Sequence, residues 1–288
     1  MENWRSEYPF ESNFLEVGAG IRMHYLDEGP RTDEAVLMLH GNPTWSFLFR
    51  NVVLALRGRM RCIVPDHVGM GLSDKPEDYP YRLERRVADI QKLIAHLGLK
   101  RIHLVVHDWG GAIGMGVATR AADITGKIVL MNTAAFPDVN IPGRIALCRS
   151  RVLGALIVRG LNGFVRPATT MTVTKPLSPA VRAGYLAPYP NWSSRVAVHG
   201  FIRDIPMEQD HPSRAIMQQI STDLAWLRAK PILIGWGGHD FCFTEHFLNR
   251  WKSVCSHAEI EYYANAGHYV LEDAGDKLIP RIAEFLAR

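Results

Sequence analysis

The chain has 288 residues, with 33 Lys and Arg against 29 Asp and Glu, so its formal net charge is only +4; 47% of residues are hydrophobic and 22% charged. This balance excludes a disordered, collagenous or coiled-coil chain. At this length a single core buries roughly 75% of the unfolded chain's surface, so no disulfide or metal staple is required. The four cysteines, Cys62, Cys148, Cys242 and Cys255, form no CxxC pair, and reduced thiols are expected. The N-terminal stretch contains Glu2, Arg5, Glu7 and Glu11, unlike a secretory leader, and no apolar run approaches the roughly 18 residues of a membrane span. A cytoplasmic location is the expectation.

In chain order, short apolar runs stand at residues 36–39, 62–64, 102–106, 128–131, 232–234 and 260–263. They are rich in β-branched residues and several are bounded by Gly, Pro, Asp or Asn, which predicts buried parallel strands. The clearest helix is predicted over residues 83–97, where Val87, Ile90, Ile94 and Leu97 share a face and Gly98 supplies the stop. Alternation of this kind predicts an α/β fold. Most intervals between runs, about 20 to 40 residues, suit one helical crossover, but 101 positions separate Met131 from Ile232. A helical cap over residues 134–215 is therefore expected between a first core part, 1–133, and a second, 216–288.

Residues 139–203 hold nine basic side chains (Arg144, Arg149, Arg151, Arg159, Arg166, Lys175, Arg182, Arg195 and Arg203) and no Asp or Glu. A one-signed stretch with interleaved apolar residues suits an anionic lipid surface, an acidic partner or a solvated face above an apolar tunnel. The arginines are spread rather than clustered, so no nucleic-acid partner is expected. Leu153, Leu156, Ile157 and Leu161 are expected to line the tunnel.

The chemistry concentrates where predicted strands end. Residues 104–106 are apolar; His107-Asp108-Trp109-Gly110-Gly111 follows and opens a helix. This is the strand, sharp turn and helix of a nucleophile elbow, with Asp108 at the tip and Val106 where the G-x-S-x-G pattern has its first glycine. His40-Gly41-Asn42-Pro43 follows residues 36–39, where that architecture places its second oxyanion donor. Gly238-His239-Asp240 and Ala266-Gly267-His268-Tyr269 follow the last two runs, giving the order nucleophile, acid, histidine at the strand ends where open α/β sheets bind ligands. The backbone N–H groups of Asn42 and Trp109 are the expected oxyanion donors, and the Asn42 amide and Trp109 indole could hold a leaving anion. An aspartate nucleophile forms an ester or anhydride, which His268, oriented by Asp240, can help resolve. The helix N-terminus at Trp109 favours an ionised Asp108. His103 and His107 lie on a strand without a third ligand, so no metal is expected, and no cofactor is expected.

These residues resemble the haloalkane dehalogenase branch of the α/β-hydrolases, with its aspartate elbow, His-Gly-Asn-Pro loop, adjacent tryptophan and late histidine. The stretches 65–76, 132–136, 153–162, 182–189 and 266–275 resemble a narrower group, the β-lactone decarboxylases of bacterial long-chain olefin biosynthesis, over nearly the whole chain. The resemblance implies an α/β-hydrolase fold, a mostly parallel sheet with helices on both faces and an inserted helical cap. It assigns Asp108 as nucleophile, His268 as acid or base, Asp240 as its partner, and Asn42 with Trp109 as anion stabilisers. Some dehalogenases carry the acid after the strand ending at Met131, where this chain has Asn132, so Asp240 is preferred. Phe241 and Phe243 are expected to wall the site. The implied substrate is a cis-disubstituted β-lactone with two long alkyl chains, giving a cis-olefin and carbon dioxide, with attack at the carbonyl preferred over the alkyl carbon. Hydrolysis of alkyl halides is the alternative; epoxide hydrolysis, with Tyr185 and Tyr189 as donors, is weaker, as is a non-catalytic binding protein, against which the complete set Asp108, Asp240 and His268 argues. Members of the group assemble with the other olefin-pathway enzymes, so the basic cap is a candidate docking surface for those enzymes or, at the periphery, for a membrane.

Overall fold

The computed structural model describes residues 4–288. Its strands are β1 (Asn13–Gly18), β2 (Ile21–Glu28), β3 (Glu34–Leu39), β4 (Arg61–Pro65), β5 (Arg101–Asp108), β6 (Thr125–Thr133), β7 (Ile232–Gly237) and β8 (Glu259–Tyr263). They form one sheet in the order β1-β2-β4-β3-β5-β6-β7-β8. From β4 to β8 every pairing is parallel, whereas β1 with β2 and β2 with β4 are antiparallel. The six predicted runs are β3 to β8, but β8 is an edge strand whose side chains are half-buried or exposed rather than buried as expected. The hairpin of β1 and β2 was not among them, because its buried positions include polar side chains whose partners lie far along the chain. His24 Nδ1 pairs with Asp66 Oδ2 at 2.8 Å, and Arg61 of β4 donates to both oxygens of Asp27 at 2.8 and 2.7 Å.

The helix predicted over 83–97 is Leu83–His96. It ends as expected: Gly98 adopts φ 61°, and the N–H of Leu99 donates to the carbonyl of Ile94, closing a Schellman turn. A second helix, Trp109–Ala118, is buried from Gly110 to Ala118. Gly114 in this helix compensates for Val106, since a Cβ at position 114 would stand 2.8 Å from Val106 Cγ1. The residue missing from the elbow pattern is thus matched by a small residue one helical turn on.

Between β6 and β7 the chain forms Gly143–Cys148, Leu153–Ala155, a π-helical turn Leu156–Gly160, Val165–Met171, Pro179–Leu186, Val196–Arg203 and Arg214–Asp223. Several of these are tied to the core by polar contacts. Trp45 Nε1 donates to Gly184 O at 3.1 Å, Tyr269 N to Thr172 O at 2.9 Å, and Arg86 to the buried Asp204 at 2.8 Å. No helix among the described residues is long and apolar enough to cross a membrane.

Candidate active site

β3 and β5 are neighbours, but the crossovers leaving them run in opposite directions across the sheet, so a crevice opens at their C-terminal ends. Asp108 stands there, joining β5 directly to the helix Trp109–Ala118 at φ 54° and ψ −126°. A non-glycine residue is strained in that region and stays only where its surroundings over-determine it. Its Oδ1 accepts the N–H of Asn42 at 2.7 Å, and the N–H of Trp109 also bonds the carboxyl.

His268 faces this carboxyl with Nε2 3.7 Å from Asp108 Oδ2, while its Nδ1–H donates to Asp240 Oδ2 at 2.7 Å. Asp240 is held in turn by the Cys242 N–H on Oδ1 at 2.6 Å and by Asn132 Nδ2 on Oδ2 at 3.0 Å. Asn132, considered in the sequence only as a possible acid position, is a clamp: it also exchanges hydrogen bonds with Gly237 N at 2.8 Å and Gly237 O at 3.0 Å. His107 lies behind His268 and donates Nε2–H to its carbonyl at 2.8 Å. Burial, reinforced by the charge of His268, pushes the His107 imidazole down to about 3, so it remains neutral.

The electrostatics favour an ion pair. Burial alone would lower the pKa of His268, but the carboxylates of Asp240 and Asp108 outweigh it and raise the value. Burial would raise Asp240, yet the charge and hydrogen bond of His268 hold it below the usual carboxylate range. Asp108 lies above that range, because burial exceeds the help from His268 and from the N–H groups of Asn42 and Trp109. The two N–H groups lower it, as expected at a helix N-terminus, but burial outweighs them.

A cavity of about 310 Å³ opens over Asp108, His268, Asn42 and Trp109. Its walls are mainly apolar and include the expected Phe241 and Phe243. Of the four cap residues assigned to a tunnel, only Ile157 lines it; Leu153, Leu156 and Leu161 are 46%, 54% and 76% exposed. The tight seat of Gly154 beside the Cys148 backbone and the π turn that follows leave those leucines on the outer surface. Asn42 also departs from expectation. Its Nδ2 donates to Val198 O of the cap at 3.1 Å and its buried Oδ1 has no partner, whereas Trp109 lines the cavity and its indole N–H has no protein acceptor among the described residues.

Residues 34–275 match the alpha/beta hydrolase fold family. The chain belongs to the α/β-hydrolases. Among members of this family, it is 42% identical over 285 residues to cis-3-alkyl-4-alkyloxetan-2-one decarboxylase of Shewanella oneidensis, covering 96% of this chain and 89% of that one. It is 35% identical to haloalkane dehalogenase 2 of Mycobacterium bovis, covering 96% and 95% respectively. Its fold superposes on the haloalkane dehalogenase DbeA of Bradyrhizobium elkani with a TM-score of 0.87 at 24% identity, covering 96% of this chain and 98% of the other. The tyrosines considered as epoxide donors are occupied elsewhere in this α/β-hydrolase: Tyr185 donates to Glu272 at 2.5 Å, and Tyr189 lies against Gly71 N and Met70 Sδ.

Proposed function

We propose that the protein decarboxylates cis-3,4-dialkyl β-lactones to cis-olefins and carbon dioxide, with Asp108 as nucleophile, His268 and Asp240 as the charged pair beside it, and Asn42 and Trp109 as stabilising donors. The observation that carries this reading is a strained aspartate at the base of an apolar cavity, in a chain 42% identical to an oxetanone decarboxylase. Residues 134–215 act as the cap that closes the cavity.

The direction of attack follows from what the oxyanion donors hold. The N–H groups of Asn42 and Trp109 bond the Asp108 carboxyl itself, so they are built to carry charge on the nucleophile rather than on a lactone carbonyl. This favours the alkyl carbon over the carbonyl route preferred from the sequence. Asp108 Oδ2 attacks the ring carbon bearing oxygen; that C–O bond breaks, giving an Asp108 ester and a free substrate carboxylate, toward which the Trp109 indole N–H can donate. The carboxylate then leaves as carbon dioxide, its C–C pair forms the double bond, and the ester C–O pair returns to Asp108. Inversion at the first step and anti elimination at the second convert a cis-lactone to a cis-olefin, with no water or proton consumed. The neighbouring His268 cation and the two N–H groups stabilise Asp108 as it departs.

The test pairs a cis-dialkyl β-lactone, followed for olefin by gas chromatography at low temperature, with 1,2-dibromoethane, followed for bromide, each beside Asp108→Ala. Olefin that depends on Asp108, with negligible bromide, is expected. Undiminished olefin from Asp108→Ala overturns the mechanism. Bromide release on the order of 1 s⁻¹ or faster without enzymatic olefin makes the protein a dehalogenase.

We also assign the outer face of the cap to an anionic membrane surface, at which a hydrocarbon product can leave. Eight of the twelve exposed large apolar side chains among the described residues lie in the cap, including Leu147 at the cavity wall and Val152, Leu153, Leu156 and Leu161 beyond it. On that face the exposed Arg166 and Arg182 pair with no carboxylate among the described residues. Co-sedimentation with phosphatidylglycerol vesicles, lost in Leu153→Ser/Leu156→Ser, is expected. Vesicle binding that is absent or unchanged in the variant refutes it; leucine-dependent capture of the other olefin-pathway enzymes would assign the face to enzyme assembly instead.

A further inference from the structure

The helix Val196–Arg203 is a wall shared by two cavities. Ile202 faces the active-site cavity, while Val196, His199, Gly200 and Arg203, at i, i+3, i+4 and i+7, face a second cavity of about 490 Å³. The two cavities have no lining residue in common. The second lies at the seam between cap and core: the core contributes Glu77, Tyr79, Tyr81 and Arg82, and the cap adds Arg151 and Arg159 to the helix. Four guanidinium groups and one carboxylate therefore line it.

Two of the four have a carboxylate partner, although Arg82 commits only its Nη1. Arg159 pairs with Glu77, and Arg82 is 3.3 Å from the buried Asp204, which Arg86 also holds. The guanidiniums of Arg151 and Arg203 have neither a hydrogen bond nor a carboxylate among the described residues. Like charges converging without a counter-charge leave a positive potential that an anion relieves. The strain registers on the groups themselves: burial and then the charges of Arg82 and Arg151 push Arg203 below its usual value, and His199 is lowered by burial and then by Arg203 and Arg159. Guanidinium forks match phosphate oxygens in geometry and bond them more strongly than neutral donors do, and Tyr79, Pro80, Tyr81 and Val196 add a less polar wall.

We propose that this second cavity binds a phosphate-bearing anion, held by Arg151 and Arg203 of the cap together with Arg82 of the core. The site is independent of the reaction assigned to Asp108, yet it is mechanically joined to it. The helix that would be braced by the anion also supplies the carbonyl of Val198 to Asn42 and the ring of Phe201, edge-on at 5.7 Å, to Trp109. Occupancy ties cap to core at the wall that positions both donors.

Isothermal titration of the full chain with pyrophosphate at constant ionic strength tests the proposal. Arg151→Ala/Arg203→Ala is compared with Arg166→Ala/Arg182→Ala, which removes the same charge from exposed cap positions outside the cavity. Saturable binding is expected in the wild type, weakened at least about tenfold in the first variant, as for the loss of one or two charge-assisted bonds, and less than twofold in the second. Thermal unfolding without ligand confirms that both variants fold. No saturable binding, or equal weakening in both variants, overturns the proposal. Glycerol 3-phosphate and phosphatidic acid vesicles separate the sources: a site for soluble esters binds the free ester in an Arg151- and Arg203-dependent manner, whereas a headgroup site shows that dependence only with vesicles. If pyrophosphate, ester and vesicles all bind without regard to the two arginines, the site is refuted.

Discussion

The most demanding consequence of the proposed route concerns His268→Gln. His268 Nε2 is 3.7 Å from Asp108 Oδ2, and at an effective dielectric of about 20 a charge pair at that distance interacts by roughly 4–5 kcal/mol. The interaction disappears when Asp108 becomes an ester and is regained as the ester breaks, so it acts on the elimination step. Replacing the cation by a neutral amide of similar reach is expected to slow olefin formation by about a thousandfold, read as initial olefin rate by gas chromatography. The pH profile has a sign of its own. His268 is raised above its ordinary value by Asp240 and Asp108 despite burial, so the charged form persists to higher pH than in a free imidazole and activity falls as pH climbs through that raised value. On the acid side activity falls as Asp108, itself raised by burial, takes up a proton. The apparent constants belong to the coupled pair. Activation of water by neutral His268 would instead make the rate rise with pH through the same range. A rate in His268→Gln within tenfold of wild type, or a profile rising into alkali, refutes the route.

Three further outcomes are expected. Asn132→Asp tolerates the positive φ of 35° but replaces a donor 3.0 Å from Asp240 Oδ2 by a second carboxylate; stability should fall by about 1–3 kcal/mol and the alkaline limb should move to higher pH, and an unmoved limb contradicts the clamp role. Gly114→Ala should cost about 1–3 kcal/mol by overpacking against Val106 Cγ1, and in a Val106→Ala background the cost should vanish; equal costs in the two backgrounds, by denaturant unfolding, sever the link. For Asp66, burial raises the carboxyl but His24 and the Leu72 N–H more than offset it, bringing it down to about 2. A group depressed in the folded state contributes stability above its unfolded value, so about 2 kcal/mol should disappear as pH falls from near 4 to 2; an unfolding midpoint with the same acid dependence in Asp66→Asn excludes this.

What was legible in the sequence was local. β3 to β7 stand out because a strand buried on both faces must be largely apolar, β8 shows only as a short apolar run at the sheet edge, and the stop of Leu83–His96 is visible because only a residue tolerant of φ 61° closes that turn easily. The site positions were readable for a related reason, since each follows a strand that the apolar pattern had already located. β1 and β2 were hidden because Arg22, His24, Asp27 and Glu28 read as surface residues until their partners are known. His24 and Asp27 are buried only in company with Asp66 and Arg61, at separations no local pattern encodes. The leucines of the cap failed for the opposite reason: apolar character was visible, but a π turn shifts which side chains face inward, and Leu153, Leu156 and Leu161 end outside.

Asn42 shows most clearly where local reading stops and why that matters for chemistry. Its position after β3 fixed its backbone N–H as a donor, and that N–H is on Asp108 at 2.7 Å. Its side chain, however, is directed by a carbonyl 156 positions away, Val198 O in the cap. An amide turned toward the cap is poorly placed to grip a departing halide, whereas the Trp109 indole, free at the cavity wall, remains available to a departing carboxylate. The proposed roles therefore predict a bias toward decarboxylation set by the cap, without any change to a residue that reacts. Loosening the Val196–Arg203 wall should therefore release Asn42 toward the cavity and raise bromide formation relative to olefin. Phe201→Ala, which removes the ring packed on Trp109, is the variant in which the ratio of the two products should rise; an unchanged ratio would mean that the cap contact does not discriminate between the reactions.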